Sequence, residues 1–180
     1  MFMTFKEADD LGPFDEKPVL PANVDPQLHM SRAEGDLPFY LICAKDTTLV
    51  IMSGKARVCF AQGGVRWFDA LPGDFVYVPA GMPHTIKTVV PGVLYRYKAR
   101  KPGLEAVAWR CPSCDSEVHR VTWSSDAEIP QAAYAKALDA FNADVSLRTC
   151  RTCGTVHPPV SFDASRWREL AISLVNEKEH

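Results

Sequence analysis

No run of this chain approaches the roughly 20 consecutive apolar residues that a membrane-crossing helix requires, which excludes a helical span. The opening residues, "MFMTFKEADD", carry acids where a secretory leader would place its apolar core, so the expected location is the cytoplasm. There is no long basic tract, and the formal net charge is -2. A surface that displaces counterions from nucleic acid needs clustered Lys and Arg, and none is expected here. Internal repeats and low-complexity tracts are also missing, which excludes solenoids and linker arrays.

What remains is a chain of 180 residues, 47% of them hydrophobic, enough for one packed domain with a small appendage. Residues 1–38 are rich in Asp, Glu and Pro and show neither strand nor helix periodicity up to about residue 36, so they read as an arm holding at most one short strand. From Phe39 to about residue 108 the pattern changes to short β-branched and aromatic runs, "FYLICA", "TLVIMSG", "KARVCFA", "VRWFDAL", "GDFVYVPAG", "HTIKTVV" and "VLYRYKA", separated by Gly, Pro and Asp. That spacing predicts an all-β sandwich or barrel of antiparallel strands. Residues 109–160 form a second zone with two cysteine pairs around an Ala-rich segment. Ala132, Ala135, Leu138 and Phe141 lie three apart there, which predicts an amphipathic helix capped by Ser125 or Asp126. Residues 161–180 predict a last helix, with Asp163 as cap and Trp167, Leu170, Ile172 and Val175 on one stripe.

The cysteine pairs carry the strongest chemical signal. "CPSC" holds Cys111 and Cys114, and "CRTCG" holds Cys150 and Cys153. Each C-x-x-C loop presents two thiolates to one ion, and two loops complete a tetrahedral shell. The competing reading, two disulfides, belongs to secreted chains and fits poorly with the acidic N-terminus; a thioredoxin-like redox pair would need a βαβ context that is missing. Zinc and rubredoxin-like iron share this ligand set, so one zinc or iron ion is expected, and a closed shell makes it structural. Cys43 and Cys59 sit on apolar strands and read as small buried hydrophobes, with a ligand role for Cys43 as the alternative. His119 and His157 follow the knuckles and read as groups that pack or hydrogen-bond around the thiolates.

"GDFVYVPAGMPH" resembles the second motif of the cupins, G-x5-P-x-G-x2-H, through Gly73, Pro79, Gly81 and His84. A barrel followed by "WRCPSCDSEVHRV" and "CRTCGTVHP" resembles the bacterial 3-hydroxyanthranilate 3,4-dioxygenases over roughly residues 39–160. The resemblance implies a mainly β cupin fold, a double-stranded β-helix or jelly-roll barrel, with a small C-terminal four-cysteine zone and one or two helices. It also implies a homodimer, a rubredoxin-like metal remote from the active site, and a catalytic ferrous iron held in the barrel by two histidines and a glutamate.

The barrel ligands of that family are not matched here. Counting back from Gly54, the glutamate position of the first cupin motif holds Thr47, and its histidine positions hold Leu41 and Cys43. "FYLICAKDTTLVIMSG" reads as two strands joined by a tight "KDTT" turn where the family carries a longer loop with a metal-binding histidine and a substrate-binding arginine. A substrate-contacting glutamate of the family falls at Lys98, and the arginine expected after the second-motif histidine falls near Lys87 and Thr88. His84 alone does not make a facial triad, so a barrel iron is doubtful; His29 would have to reach in from a polar arm where it reads as solvated.

The strand "VLYRYKAR" offers two registers. Either Leu94, Arg96 and Lys98 face the interior, where with His84 they would attract a carboxylate such as an anthranilate-like acid, or Tyr95 and Tyr97 do, leaving a solvated cationic face. The preferred reading is a degenerate cupin whose barrel binds a small anionic or aromatic ligand without catalytic iron. Within it, a metal-independent reaction would use His84 as general base and Lys98 or Arg96 as electrostatic stabiliser. The alternatives are a ring-cleaving dioxygenase with a rearranged metal site and a non-catalytic dimeric scaffold.

Overall fold

The computed structural model describes the backbone of residues 2–178 and the side chains of residues 2–172. The alternating runs form strands β1 (Lys17–Pro18), β2 (Gln27–Ala33), β3 (Tyr40–Cys43), β4 (Thr47–Ile51), β5 (Lys55–Phe60), β6 (Trp67–Ala70), β7 (Phe75–Val78), β8 (His84–Val90), β9 (Gly92–Lys98), β10 (Leu104–Arg110) and β11 (Glu117–Ser124). They build two antiparallel sheets, one ordered β1-β2-β9-β4-β7 and the other β11-β10-β3-β8-β5-β6. Four helices accompany them: α1 (Thr4–Ala8), α2 (Pro130–Ala143), α3 (Val145–Arg148) and α4 (Ser165–Lys178). The inner faces of both sheets, including Leu41, Leu49, Val58, Ile86, Leu94 and Val107, bury one continuous apolar core.

Motif glycines shape the corners. Gly81 has φ +75°, and its N–H donates to the Cys43 carbonyl at 2.8 Å. Gly54, at φ +77°, packs so closely that a Cβ there would lie 2.5 Å from the Val90 carbonyl oxygen. The "KDTT" segment is not a hairpin turn: β3 and β4 belong to opposite sheets, so residues 44–46 carry the chain across the barrel.

Strand β2 lies within the stretch whose composition reads as an arm, yet it pairs with β9 along its whole length, His29 opposite Arg96. Its hydropathy order is reversed. His29 shares the inward face of Arg96, while Leu28 and Met30 face outward into a second apolar cluster with Ala8, Leu11, Val50 and Tyr95. An N-terminal segment covering the outer sheet face is what makes that reversal stable. The six-stranded sheet continues through β10 and β11, so residues 104–110 and 117–124 belong to it, with the first cysteine knuckle between them.

Helix α2 starts at Pro130 with Ile129 at its N-cap and no side-chain cap. Proline at the first helical position presets φ and lacks an N–H to satisfy. Ser125 and Asp126 lie instead in a turn where Ala127 and Glu128 donate to the Ser124 carbonyl. Its buried face is wider than a three-residue spacing predicts, with Gln131, Ala133, Tyr134 and Ala137 joining Ala135, Leu138 and Phe141. Phe141 stacks on Trp109 at 4.0 Å between ring centroids, tying the helix to β10. At α4, the Asp163 carboxylate accepts from the Ser165 N–H at 2.9 Å, as expected of a cap. Trp167 is buried, but Ile172 is exposed, and the Val175 side chain lies outside the described residues.

Candidate functional site

The barrel interior resolves the register of β9: Arg96 and Lys98 point inward and are buried, while Tyr97 is exposed and Tyr95 packs outside. Two cross-sheet contacts follow. Arg96 Nη1 lies 3.2 Å from His84 Nε2, and Lys98 Nζ lies 3.5 Å from Glu105 Oε1 on β10. The anion that the cationic face attracts comes from the chain itself. Glu16, in the segment before β1, accepts from Lys98 Nζ at 2.9 Å and from the Tyr134 hydroxyl at 2.8 Å. Gln131 donates to the Glu16 carbonyl at 3.3 Å, and His29 Nδ1 lies 3.7 Å from Glu16 Oε2.

Two carboxylates therefore face two cations, and the network is neutral, which is the condition for keeping charges in a core. Burial alone would raise the Glu16 carboxyl, but Lys98 and Arg96 hold it well below the usual carboxylate range. Burial would likewise lower Lys98, and Glu16 and Glu105 outweigh it, so the ammonium persists above its ordinary value.

His84 is fully buried. Its Nδ1 lies 3.2 Å from the Met82 carbonyl, so that nitrogen carries the proton and the Nε2 lone pair accepts from Arg96. Burial first, and then the Arg96 charge, push this histidine down to about 3. It is a neutral imidazole whose acceptor is already engaged, a poor general base. Cys43 sits 3.9 Å from Arg96 Nη1, and burial pushes its thiol up to about 12, the behaviour of a buried hydrophobe. His29 is not solvated; it joins the interior, and burial followed by Lys98 lowers it to about 4. Lys87 points to solvent and forms no anchor.

The space left beside Arg96, bounded by Phe14, Glu16, Leu41, Ile86 and Tyr134, measures about 10 Å³. That is room for one water molecule at most and none for an aromatic acid. A second cavity of about 530 Å³ adjoins the Glu16 segment, lined by Leu11, Glu16, Lys17, His29, Pro130 and Leu170 among others.

Glu16, Glu105 and Tyr134 escape sequence reasoning. Glu105 leaves a faint signal, an acid within the apolar strand "LEAVAW", which needs a buried partner. Glu16 leaves none, since "FDEKP" reads as a solvated arm.

The second centre lies at the knuckles. The four Sγ atoms of Cys111, Cys114, Cys150 and Cys153 all fall within 4.8 Å of one another, a group able to hold a metal ion. Sγ separations of 3.5 Å for Cys111–Cys153 and 3.6 Å for Cys114–Cys150 are far longer than a disulfide bond. They match the edge of about 3.8 Å expected for a tetrahedron with 2.3 Å metal–sulfur bonds. The two loops are near copies. Cys111 N–H donates to Ser116 O and Cys150 N–H to Thr155 O, while Asp115 and Gly154 donate back to the carbonyls of Cys111 and Cys150. Both returning residues have positive φ, +58° at Asp115 and +77° at Gly154. Asp115 holds that conformation between Arg110 and Arg66, at 2.7 and 3.0 Å. His119 stacks on Trp109, and His157 packs edge-on against Phe141.

No family model matches the chain. It is 33% identical over 104 residues to a 3-hydroxyanthranilate 3,4-dioxygenase of Bacillus cereus, covering 56% of each chain. To the enzyme of the same name from Shewanella woodyi it is 30% identical over 127 residues, covering 67% of this chain and 59% of that one. The chain thus spans little more than half the length of these curated relatives. Among solved structures, a Klebsiella pneumoniae protein with a double-stranded β-helix domain matches 61% of this chain and 97% of its own, with TM-score 0.50 and 19% identity. The fold is that of the cupins.

Proposed function

We propose that this chain is a cupin relative of the 3-hydroxyanthranilate dioxygenases that has exchanged the barrel iron for resident cations and keeps one structural zinc or iron in its four-cysteine group. The observation that carries this reading is the Arg96–His84 contact: the imidazole lone pair that would face a metal ion instead accepts from a guanidinium. Lys98, close to Glu16 and Glu105, places a second fixed charge in the same interior, where a divalent cation would meet repulsion. A ring-cleaving oxygenase with a rearranged site would need several protein ligands free of internal cations, and His84 is not free. With Glu16 withdrawn from it, the inward cationic face would suit a small aromatic or anionic carboxylate as ligand, with Arg96 and Lys98 as its anchors rather than as catalytic acids or bases.

The test is elemental analysis of protein purified without chelator. About one zinc or iron per chain, lost in Cys150→Ser and retained in His84→Ala, is the expected result. A second ion that survives Cys150→Ser and disappears with His84→Ala would overturn the reading and restore the oxygenase.

A scaffold reading, with a second copy of the chain as partner, has its own observation. The edge strands β6 and β7 expose Trp67, Phe68, Phe75 and Tyr77, apolar surface of the kind that pairs in assemblies. Sedimentation of the purified chain tests it: a dimer at micromolar concentration favours this reading, and a monomer removes its support.

A further inference from the structure

The segment at residues 12–18 runs beside β2, bridging to Arg32 at Pro13 and pairing at Lys17 and Pro18, and buries two unlike side chains. Phe14 is 4% exposed and belongs to the main core, and Glu16 is buried against Lys98 and Tyr134. Together they line the residual 10 Å³ space with Arg96, Leu41 and Ile86. An aromatic ring and a carboxylate, two residues apart, thus fill an interior of apolar walls and two cations that His84 and Glu105 meet from the opposite sheet. We propose that this strap is a built-in ligand, an intramolecular mimic of an aromatic carboxylate, and that a free molecule of that class binds by displacing it. This inference rests on the proposed ligand-binding reading of the barrel and adds what holds the site closed.

Three features point to a displaceable strap rather than ordinary core. Phe14 has φ +53°, a conformation that a bulky side chain adopts only when its surroundings impose it, so release of the strap relieves strain. The backbone tether is short: Phe14 N–H donates to Arg32 O at 2.8 Å, Gln131 donates to the Glu16 carbonyl at 3.3 Å, Pro13 forms an isolated bridge with Arg32, and β1 is two residues long. Asp15 is held by the Gly12 N–H at 2.9 Å and by Arg166, itself half-exposed, at 3.4 Å. The 530 Å³ cavity adjoins the same segment, lined by Leu11, Asp15, Glu16, Lys17 and Pro18, so the strap borders open space into which it can shift. The charge count requires a replacement. With Glu16 gone, Glu105 is the one carboxylate among the described residues left facing Arg96 and Lys98, and an incoming carboxylate restores neutrality.

Sodium benzoate is the probe, with benzyl alcohol as the uncharged control of the same ring. Calorimetric titration is expected to show benzoate binding at least tenfold tighter to Glu16→Ala and to Phe14→Ala than to the unaltered chain, with benzyl alcohol binding unchanged by Glu16→Ala. Folded variants, by melting, that bind benzoate no tighter than the unaltered chain would overturn the proposal, as would equal gains for benzyl alcohol in Glu16→Ala. Should either variant fail to fold, hydrogen exchange on the unaltered chain decides. Benzoate at tens of millimolar is expected to speed exchange of the Phe14 amide while the β8 amides stay protected. An unchanged Phe14 amide would show that the strap is fixed core. These outcomes are independent of the metal count, so a failed strap and a failed iron-free barrel are told apart.

Discussion

The barrel interior and the cysteine knuckles both gather groups able to bind a metal ion, and they differ in what meets those groups. In the barrel, imidazoles and carboxylates that would suit a divalent cation are met by Arg96 and Lys98, so covalently attached charges complete the set. At the knuckles, four sulfurs converge, and among the described residues no Lys or Arg nitrogen lies within hydrogen-bonding distance of them; Cys114 and Cys153 neighbour the hydroxyls of Ser116 and Thr155. An internal cation makes a site self-sufficient and closed. A thiolate cluster without one suits an ion from outside, and such an ion would join two chain segments 36 residues apart, from Cys114 to Cys150.

The sharpest way to break this contrast is Cys150→Ser. Metal binding and folding are coupled at four-thiolate sites, so loss of the ion is expected with destabilisation of several kcal/mol, read by melting and metal content together. An unchanged melting curve with full metal content would mean that the knuckles do not staple the fold. In the barrel, Lys98→Met strips the ammonium while keeping most of the volume, leaving Glu16 and Glu105 buried with Arg96 alone. A loss of about 3–5 kcal/mol in denaturant unfolding is expected, with no loss of the cysteine-bound metal.

Acid sharpens the comparison from another side. His84 is held at about 3 and His29 at about 4 in the folded protein, against about 6.5 in the unfolded chain. The unfolded state therefore binds more protons below pH 6.5, and stability is full above that value and lost as pH falls toward 4 and then 3. Between pH 7 and pH 5 the loss is about 2 kcal/mol for each histidine. Glu16, held low, adds its own loss only below about pH 4, where the unfolded carboxyl takes up its proton. A flat stability profile from pH 7 to pH 5 would show that both imidazoles are accessible to water. The smallest effect belongs to His84→Ala, which leaves Arg96 Nη1 without its acceptor at a cost of about 1–3 kcal/mol. Fold and cysteine-bound metal are expected to survive, and loss of the metal would mean that the two centres are coupled.

Much of this organisation is legible in the chain. The knuckles announce themselves because ligand spacing within a C-x-x-C loop is local. Gly73, Pro79, Gly81 and His84 mark a barrel corner for the same reason, since turn geometry depends on the residues that make the turn. Strand β2 was illegible because its pattern is inverted: Leu28 and Met30 face outward beneath α1, and only the cover supplied by the N-terminal segment makes that favourable. The β9 register stayed ambiguous because period-2 alternation tells which residues share a face and not which face is inside.

By itself, then, the sequence determined the β architecture, the pair of thiolate loops and the missing first-motif ligands, all properties of short stretches. Only the tertiary structure decided that Arg96 and Lys98 look inward, that Glu16 from the presumed arm answers them, and that Tyr134 of α2 closes the network. Those pairings join residues 82 and 118 positions apart. A buried charge is tolerable only beside its partner, and where that partner lies is settled by packing in space.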